Sequence, residues 1–117
     1  MCNPFGGLGL TGGIVDIGGL YDCLAGIYEG KADDSILDKY DEIRRQKYRD
    51  IVDPISSSNM RRLCDQDPDK ALENDNFLKL CKEAEENIVV ARKMQRSADA
   101  LKHDFTQYYH GQSSTTL

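Results

Sequence analysis

The sequence carries a glycine-rich segment near its start, Asn3-Pro4-Phe5-Gly6-Gly7-Leu8-Gly9-Leu10-Thr11-Gly12-Gly13, which runs directly into a helical pattern. Glycine adopts positive φ angles and lets a ligand approach the backbone closely. The helix behind the segment offers unpaired N–H groups and the positive end of its dipole. The segment therefore predicts a loop that binds an anion or an electron-rich ring. We expect such a loop in the middle of a larger fold.

A chain of 117 residues forms at most one domain, with a hydrophobic core of modest size. Its net charge of -5 and pI near 4.9 argue against nucleic acid, whose phosphates need clustered lysine and arginine. The longest apolar stretch, residues 14–28, is interrupted by Asp16, Asp22 and several glycines. We therefore expect no membrane span, and the first residues do not resemble a signal peptide.

The four cysteines are widely spaced, with no C-x-x-C pair, and only two histidines accompany them. This pattern does not favour a zinc site. Cys23 and Cys81 lie on apolar faces of helical patterns, which predicts that both are small buried hydrophobic residues. Reduced thiols predict an intracellular, cytoplasmic location.

The hydrophobic periodicity predicts a nearly all-helical chain without strands. A first helix is expected after Thr11, with its apolar residues over 14–28 and its end at Gly30. A second follows Asp33-Asp34-Ser35 until Pro54 interrupts it. A turn or restart covers residues 56–63, and a long third helix spans residues 77–101, with a short turn possible at 68–72 before it. Five glycines within the first pattern, Gly12, Gly13, Gly18, Gly19 and Gly26, each cost about 1 kcal/mol relative to alanine. A helix tolerates that cost only where close packing offsets it.

The glycine-rich segment and its continuation resemble the flavin-dependent aromatic hydroxylases, the single-component FAD monooxygenases that include p-hydroxybenzoate and phenol hydroxylases. Residues 4–16 are similar to the family pattern P-x-x-G-x-G-x-N-x-G-x-x-D, and Leu37-Asp38-Lys39-Tyr40 with Arg44 is similar to the start of its next helix. The resemblance covers residues 3 to about 63. It implies a mainly α piece of an α/β FAD-binding fold: a glycine-rich loop followed by three or four helices, taken from the fold's C-terminal part.

The resemblance also implies roles for the loop residues. Leu10 and Thr11 would donate backbone N–H groups to the pyrimidine edge of the flavin of FAD. Pro4 would lie on the substrate side, where its rigid ring and free carbonyl shape the pocket. Gly6, Gly7 and Gly9 would allow the close approach. Thr11 stands where the family commonly has asparagine, and Ile43 replaces the acid that usually precedes the arginine.

The implied activity is hydroxylation of a small aromatic or polyketide-like substrate with NAD(P)H and O2. The family binds the ADP half of FAD through a strand-turn-helix that carries a G-x-G-x-x-G motif near its N-terminus, and it has a glycine-aspartate motif upstream of the loop. The sequence contains neither that strand-turn-helix nor the upstream motif. We therefore expect the isolated chain to bind FAD poorly and to be inactive. The expected organisation is a partial FAD-binding domain at residues 1–63, a helical segment at 64–111 and a disordered tail at 112–117.

The remaining polar residues suggest no catalytic centre. His103-Asp104 is expected on an exposed, fraying helix rather than in a catalytic dyad, and Tyr108-Tyr109-His110 suits packing or the surface. The sequence contains no nucleophile beside a base and no metal cluster. The alternative hypothesis is a non-catalytic helical interaction module whose long third helix packs in a partner's groove. The oligomeric state is left open.

Overall fold

A computed structural model of the protein describes residues 2–110. About 83% of it is helical, and the described residues contain no strand, which confirms the mainly α prediction. The predicted tail at 112–117 lies outside the described residues. The α-helices, in chain order, are α1 (Leu8–Tyr28), α2 (Ile36–Lys47), α3 (Asp53–Asp65), α4 (Ala71–Asn74), α5 (Asn76–Glu86) and α6 (Ile88–Gln95). Short 3-10 turns cover Pro4–Gly6, Pro68–Lys70, Arg96–Leu101 and Phe105–Tyr108.

The glycine-rich segment is mostly helix rather than loop, so the sequence prediction was wrong there. A 3-10 turn occupies Pro4–Gly6, and α1 begins at Leu8 rather than after Thr11. Gly7 alone is left-handed in this segment, with a φ of 62°. Gly9, Gly12 and Gly13 lie inside the helix, which begins directly after the Pro4–Gly6 turn and Gly7. At the other end α1 stops at Tyr28, and Gly30 takes a φ of 73°, as a helix terminator does.

The second predicted helix continues past the expected break. A π-helical turn, Tyr48–Val52, joins α2 to α3 without a loop. Pro54 follows directly on this turn, in which the N–H of Asp53 donates to the carbonyl of Tyr48. The helical run therefore continues through Pro54, with a π-helical turn in front of the residue that lacks an N–H.

The third predicted helix is divided into shorter pieces. Asp75 caps α5 by accepting from the N–H groups of Phe77 and Leu78, and Asn87 caps α6 by accepting from two further amides. After α6 the chain forms a 3-10 turn, Arg96–Leu101. Cys81 is only half-buried, so the prediction that it is a core residue was wrong.

The core lies between α1, α2 and the C-terminal turn. Its buried members are Cys23, Ala32, Ile36 and Phe105, with partly buried tyrosines and aliphatic residues packed around them. The prediction that Cys23 is buried is confirmed. Phe105 reaches this core from a segment that the sequence placed at a fraying end.

Two of the helical glycines explain how that end approaches α1. A Cβ atom added at Gly19 would lie 2.8 Å from Cε2 of Phe105, and one added at Gly26 would overlap the ring of Tyr109. Only glycine leaves room for these rings. The close packing offsets the helix-propensity cost at these two positions.

The chain is extended beyond this core. Its radius of gyration is 18.5 Å and its principal extents are 59 × 31 × 19 Å, whereas a compact domain of this length has a radius of about 13 Å. Helices α5 and α6 pack against each other and form an arm. The arm leaves Phe77, Leu80, Ile88 and Val89 exposed, although the sequence pattern placed them inward.

Helix α1 is long and apolar enough to cross a bilayer by length and composition. Its most apolar window has a mean hydropathy of 1.2, and 22% of that window is buried. The sequence analysis expected the two aspartates and the glycines to exclude a membrane span, but the helix still meets the criterion of length and composition. Helices buried in protein cores meet the same criterion.

Candidate functional site

The turn before α1 is built by local hydrogen bonds. The side chain of Asn3 accepts from the N–H of Phe5 at 3.0 Å, and the ring of Pro4 fixes that residue's own φ angle at the start of the turn. The N–H of Gly7 donates to the carbonyl of Pro4 at 3.1 Å. The Pro4 carbonyl that the resemblance implied to be free is thus engaged in the turn. The left-handed Gly7 then redirects the chain into α1.

The first turn of α1 contains amides that have no hydrogen-bond partner among residues 2–110. Gly7 is the N-cap and supplies no side-chain acceptor. In an α-helix that begins at Leu8, the N–H groups of Leu8, Gly9 and Leu10 have no intrahelical partner, while that of Thr11 is the first to reach a carbonyl, that of Gly7. The first turn holds no acidic residue. The positive end of the helix dipole is therefore open to an anion.

Helix α3 supports the turn from behind. The Asn59 side-chain amide donates to the carbonyl of Phe5 at 3.1 Å. A Cβ atom added at Gly6 would lie 2.5 Å from Oγ of Ser56, a side chain that is buried and has no hydrogen-bond partner among the described residues. Packing against α3 therefore requires glycine at position 6. Gly9 meets only Sγ of Cys2, at 3.9 Å, which is ordinary contact.

A cavity of about 290 Å³ opens beside this turn, between α1 and the end of α2. Gly9, Gly12 and Gly13 line the α1 side, and Lys47 and Tyr48 are among the residues opposite. Nothing lies within 4 Å of a Cβ added at Gly12 or Gly13. The glycine surface is therefore flat and accessible to a planar group. Of the predicted site residues only Gly9 lines this cavity, while Pro4, Leu10 and Thr11 are exposed beside it.

One ion pair fixes the relation of α1 to α2. Nε of Arg44 donates to Asp16 at 2.5 Å, and its Nη1 donates to the carbonyl of Leu101 at 2.5 Å. The Arg44 side chain is 8% exposed. The hydroxyl of Tyr40 donates to the carbonyl of Asp16 at 2.9 Å, and burial, with a smaller effect of the Asp16 charge, raises the pKa of Tyr40. The aspartate and the arginine of the family-like pattern thus bond to each other, a pairing that the sequence analysis missed although it quoted both residues.

The C-terminal turn carries a second polar group. His103 is half-buried, with its ring edge against Phe105 at a centroid distance of 4.9 Å. Its Nε2 lies 3.0 Å from Oη of Tyr108. Burial and the charge of Lys47 lower the pKa of His103. Asp104 caps the following turn through the N–H of Thr106 at 3.0 Å. His103 was predicted to be solvated, and its packing on Phe105 shows that this prediction was wrong.

The described residues 2–110 hold no cluster of three metal-ligating side chains. Within the same part of the chain, no histidine or cysteine contacts the predicted flavin-edge residues through a hydrogen bond. What the N-terminal site offers is positioning chemistry: oriented amides, a helix dipole and a glycine surface.

A comparison with known families gives a match over residues 1–54 to the family described as FAD binding domain. This range contains all six predicted site residues, the whole of α1 and α2, and the Asp16–Arg44 pair. The predicted resemblance to FAD-dependent enzymes is confirmed, and so is FAD as the cofactor of the matched family.

Two curated relatives match over a longer range. The chain is 45% identical over 67 residues to 6-hydroxy-3-succinoylpyridine 3-monooxygenase of Pseudomonas putida (strain DSM 28022 / S16), covering 56% of this chain and 17% of the relative. It is 31% identical over 77 residues to para-nitrophenol 4-monooxygenase of Pseudomonas sp. (strain WBC-3), covering 66% of this chain and 19% of the relative. The chain thus spans less than a fifth of the length of either relative. No solved structure matches the chain significantly.

Proposed function

We propose that this chain, whose residues 1–54 match the family described as FAD binding domain, forms the wall of a monooxygenase active site that contacts the pyrimidine edge of the flavin. The observation that carries the proposal is the coincidence of that match with the unpaired amides of Leu8, Gly9 and Leu10. The predicted contacts through Leu10 and Thr11 remain part of the proposal. Leu10 has the stronger case, because its N–H is unpaired, whereas that of Thr11 is bonded within α1.

The residues present fit a flavin edge. Reduced flavin carries negative charge near its N1 atom and C2 carbonyl, and oriented amides with a helix dipole stabilise such charge without rearranging. No acidic side chain in the first turn opposes it. FAD, when bound, supplies the redox and oxygen chemistry, with NAD(P)H and O2 as co-substrates. The chain's own contribution is to orient the ring and favour its reduced, anionic form.

The substrate class follows from the relatives. The names of both describe monooxygenases of a hydroxylated six-membered aromatic ring, a hydroxypyridine and a nitrophenol. We propose a small hydroxylated aromatic substrate for the intact enzyme. Pro4 and Phe5 are exposed beside the helix start and would form the substrate side of this wall. The cytoplasm is the proposed compartment, because Cys2, Cys23, Cys64 and Cys81 are all free thiols.

Flavin titration of the purified chain tests the proposal. The chain offers contacts to the ring, but its described residues contain no strand leading into a turn for the adenosine half: residues 7–12 have the G-x-G-x-x-G spacing, yet they follow a 3-10 turn and not a strand. We therefore expect FAD, FMN and riboflavin to bind with similar, weak affinity, measured by quenching of flavin fluorescence. An FAD affinity far above that of riboflavin would contradict this division of the site.

Leu10→Pro and Leu10→Ala form a matched pair for the amide. Both remove the exposed leucine side chain, but only proline removes the N–H, at a first-turn position that tolerates it. Loss of a hydrogen bond to a charged acceptor costs about 1.5–3 kcal/mol, or roughly 10- to 150-fold in affinity for reduced flavin. Equal affinities of the two variants, with helix content unchanged by circular dichroism, would remove Leu10 from the site.

The alternative function, a non-catalytic helical interaction module, has one observation in its favour. Phe77 and Leu80 of α5 are 47% and 39% exposed, on an arm that the core does not cover. A stable complex with another protein through α5, together with no flavin binding, would favour that alternative. Light scattering with and without riboflavin separates the two functions.

A further inference from the structure

Three cations lie together where α6 ends. Arg92 and Lys93 belong to the last turn of α6, and Arg96 begins the 3-10 turn that follows. Arg96 comes four positions after Arg92 and three after Lys93, which is the spacing of neighbours on one helical surface. We call these three residues the α6 cation cluster. They line one open cavity of about 560 Å³ together with Val89 and Ser97.

The α6 cation cluster has no acidic partner among residues 2–110. The seven ion pairs in that part of the chain all involve other cations. No acidic residue occurs between Glu86 and Asp99, and Asp99 pairs with Lys102 at 3.1 Å. The cluster is thus a local excess of positive charge on a chain whose net charge is -5.

The end of α6 accounts for only part of this arrangement. The C-terminal end of a helix carries a charge of about −0.5, which favours cations in its last turn. Half a negative charge does not neutralise three positive ones, and like charges spaced three or four residues apart destabilise a helix. The remaining positive charge can therefore attract an anionic ligand.

The donors of the cavity suit a phosphate group. Each guanidinium presents parallel N–H groups that match two phosphate oxygens, and the lysine ammonium adds a point charge. Val89 is 70% exposed and gives the cavity an apolar wall. Ser97 contributes no donor, because its hydroxyl donates to the carbonyl of Met94 at 2.7 Å. Pockets for small molecules measure about 300–1,000 Å³, so an organic group fits beside the phosphate.

We infer that the α6 cation cluster binds the phosphate group of a small organic molecule, with Arg92 and Arg96 on the phosphate oxygens and the organic part against Val89. Three cations are few for a nucleic acid, whose affinity depends on contacts to many phosphates. The cluster lies outside residues 1–54, the range that matches the FAD binding domain family. Its test therefore does not depend on flavin binding.

A titration monitored by nuclear magnetic resonance tests the site. Inorganic phosphate or phenyl phosphate is added to the full chain at constant ionic strength, and the backbone amide signals of residues 88–97 are followed. We expect saturable shifts that are confined to this segment. Phenyl phosphate should bind more tightly, because its ring contacts Val89, and Val89→Ser should remove that preference. Equal affinities of the two probes for the unmodified chain would overturn the assignment of an organic ligand.

Arg92→Gln combined with Arg96→Gln removes both guanidiniums. Loss of charge-assisted hydrogen bonds should weaken phosphate binding by at least about 10-fold, and Arg96→Lys, which keeps the charge without the planar fork, should have a smaller effect. Arg49→Gln combined with Arg61→Gln is the matched control. Both of these arginines are exposed and lie outside the cavity, so the same loss of charge there should leave the affinity unchanged. Circular dichroism should show the same helix content in both double variants.

Three results would overturn the inference. The first is the absence of a saturable shift with either probe. The second is equal binding by the two double variants, which would show a nonspecific surface anion only. The third uses phosphatidylglycerol vesicles: vesicle binding that Arg92→Gln with Arg96→Gln abolishes, without binding of either soluble phosphate, would identify a lipid surface as the ligand.

Discussion

Adjacent glycines in α1 should respond oppositely to the same substitution. Gly18→Ala places its Cβ in open space, so the gain in helix propensity, about 1 kcal/mol, stabilises the chain. Gly19→Ala places its Cβ 2.8 Å from Cε2 and 3.1 Å from Cδ2 of Phe105. That ring is fully buried and lies against His103 and Tyr40, so it has little room to move. Overpacking of this kind costs about 1–3 kcal/mol, which cancels or exceeds the propensity gain.

The expected difference between the two variants is about 2 kcal/mol, or roughly 8 °C in the unfolding midpoint for a chain of this size. Urea unfolding followed by circular dichroism at 222 nm measures it, with an unchanged m-value as the check that both variants unfold alike. The same substitution can also be measured in a Phe105→Leu variant, where Gly19→Ala should lower the free energy of unfolding by less because the smaller side chain leaves room for the Cβ. Equal stabilities of Gly18→Ala and Gly19→Ala would refute the close packing of Phe105 on α1.

Three further predictions concern charge and thiol chemistry. Arg44→Ala should lower the free energy of unfolding by about 2 kcal/mol in urea titrations, because it removes the charge-assisted hydrogen bonds to Asp16 and to the carbonyl of Leu101. A loss below about 0.5 kcal/mol would show that these bonds do not stabilise the fold. Burial and a nearby lysine lower the pKa of His103 in the folded state. The unfolded state therefore binds the proton more tightly, and the folded state loses stability as the pH falls from 7 through about 6.5. Thermal midpoints between pH 5 and 8 should show this slope, and His103→Gln should flatten it. Cys64 is exposed and should react quickly with a thiol reagent. Burial and a neighbouring aspartate raise the pKa of Cys23, so this thiol should react only when the chain unfolds. A second fast-reacting thiol that is lost in Cys23→Ala would contradict the burial of Cys23 in the core.

The helical class of the chain could be predicted from its periodicity, but the start of α1 could not. Glycine is a poor helix former, so a segment with four glycines between positions 6 and 12 was interpreted as a loop. Only Gly7 has the positive φ angle that such a loop needs. The others serve packing and access: Gly6 meets Ser56, and Gly9 and Gly12 line the cavity. These demands come from tertiary structure and leave no local signal.

Capping explains the errors in the second half of the chain. The apolar pattern from Phe77 onward predicts one helix, yet Asn87 captures two backbone amides and starts a new one there. Asparagine is a strong N-cap, which propensity alone undervalues within an apolar pattern. Phe105 was missed for a different reason: its partner Gly19 lies far away in sequence. The burial of Phe105 depends on that distant contact, which the local sequence does not indicate.

The sequence named the residues of the candidate site but not their connections. Pro4 to Thr11, which belong to the family-like pattern, lie within the matched range of residues 1–54. It also contained Asp16 and Arg44, but the pairing between them crosses two helices and needs the fold. The engaged carbonyl of Pro4 and the bonded N–H of Thr11 likewise follow from the helix start at Leu8, which the sequence did not reveal.

The contact of Phe105 with Gly19 has a consequence for the order of events during synthesis. The two residues are separated by about 86 positions, so closing the core requires a long loop to form. At a translation rate of about 5–20 residues per second, roughly 4–17 s pass between the appearance of the glycine and that of the ring that covers it. Helix α1 and α2 can pair through Asp16 and Arg44 in that interval, but their shared core stays open. The segment that carries Phe105 then closes the core that α1 and α2 begin.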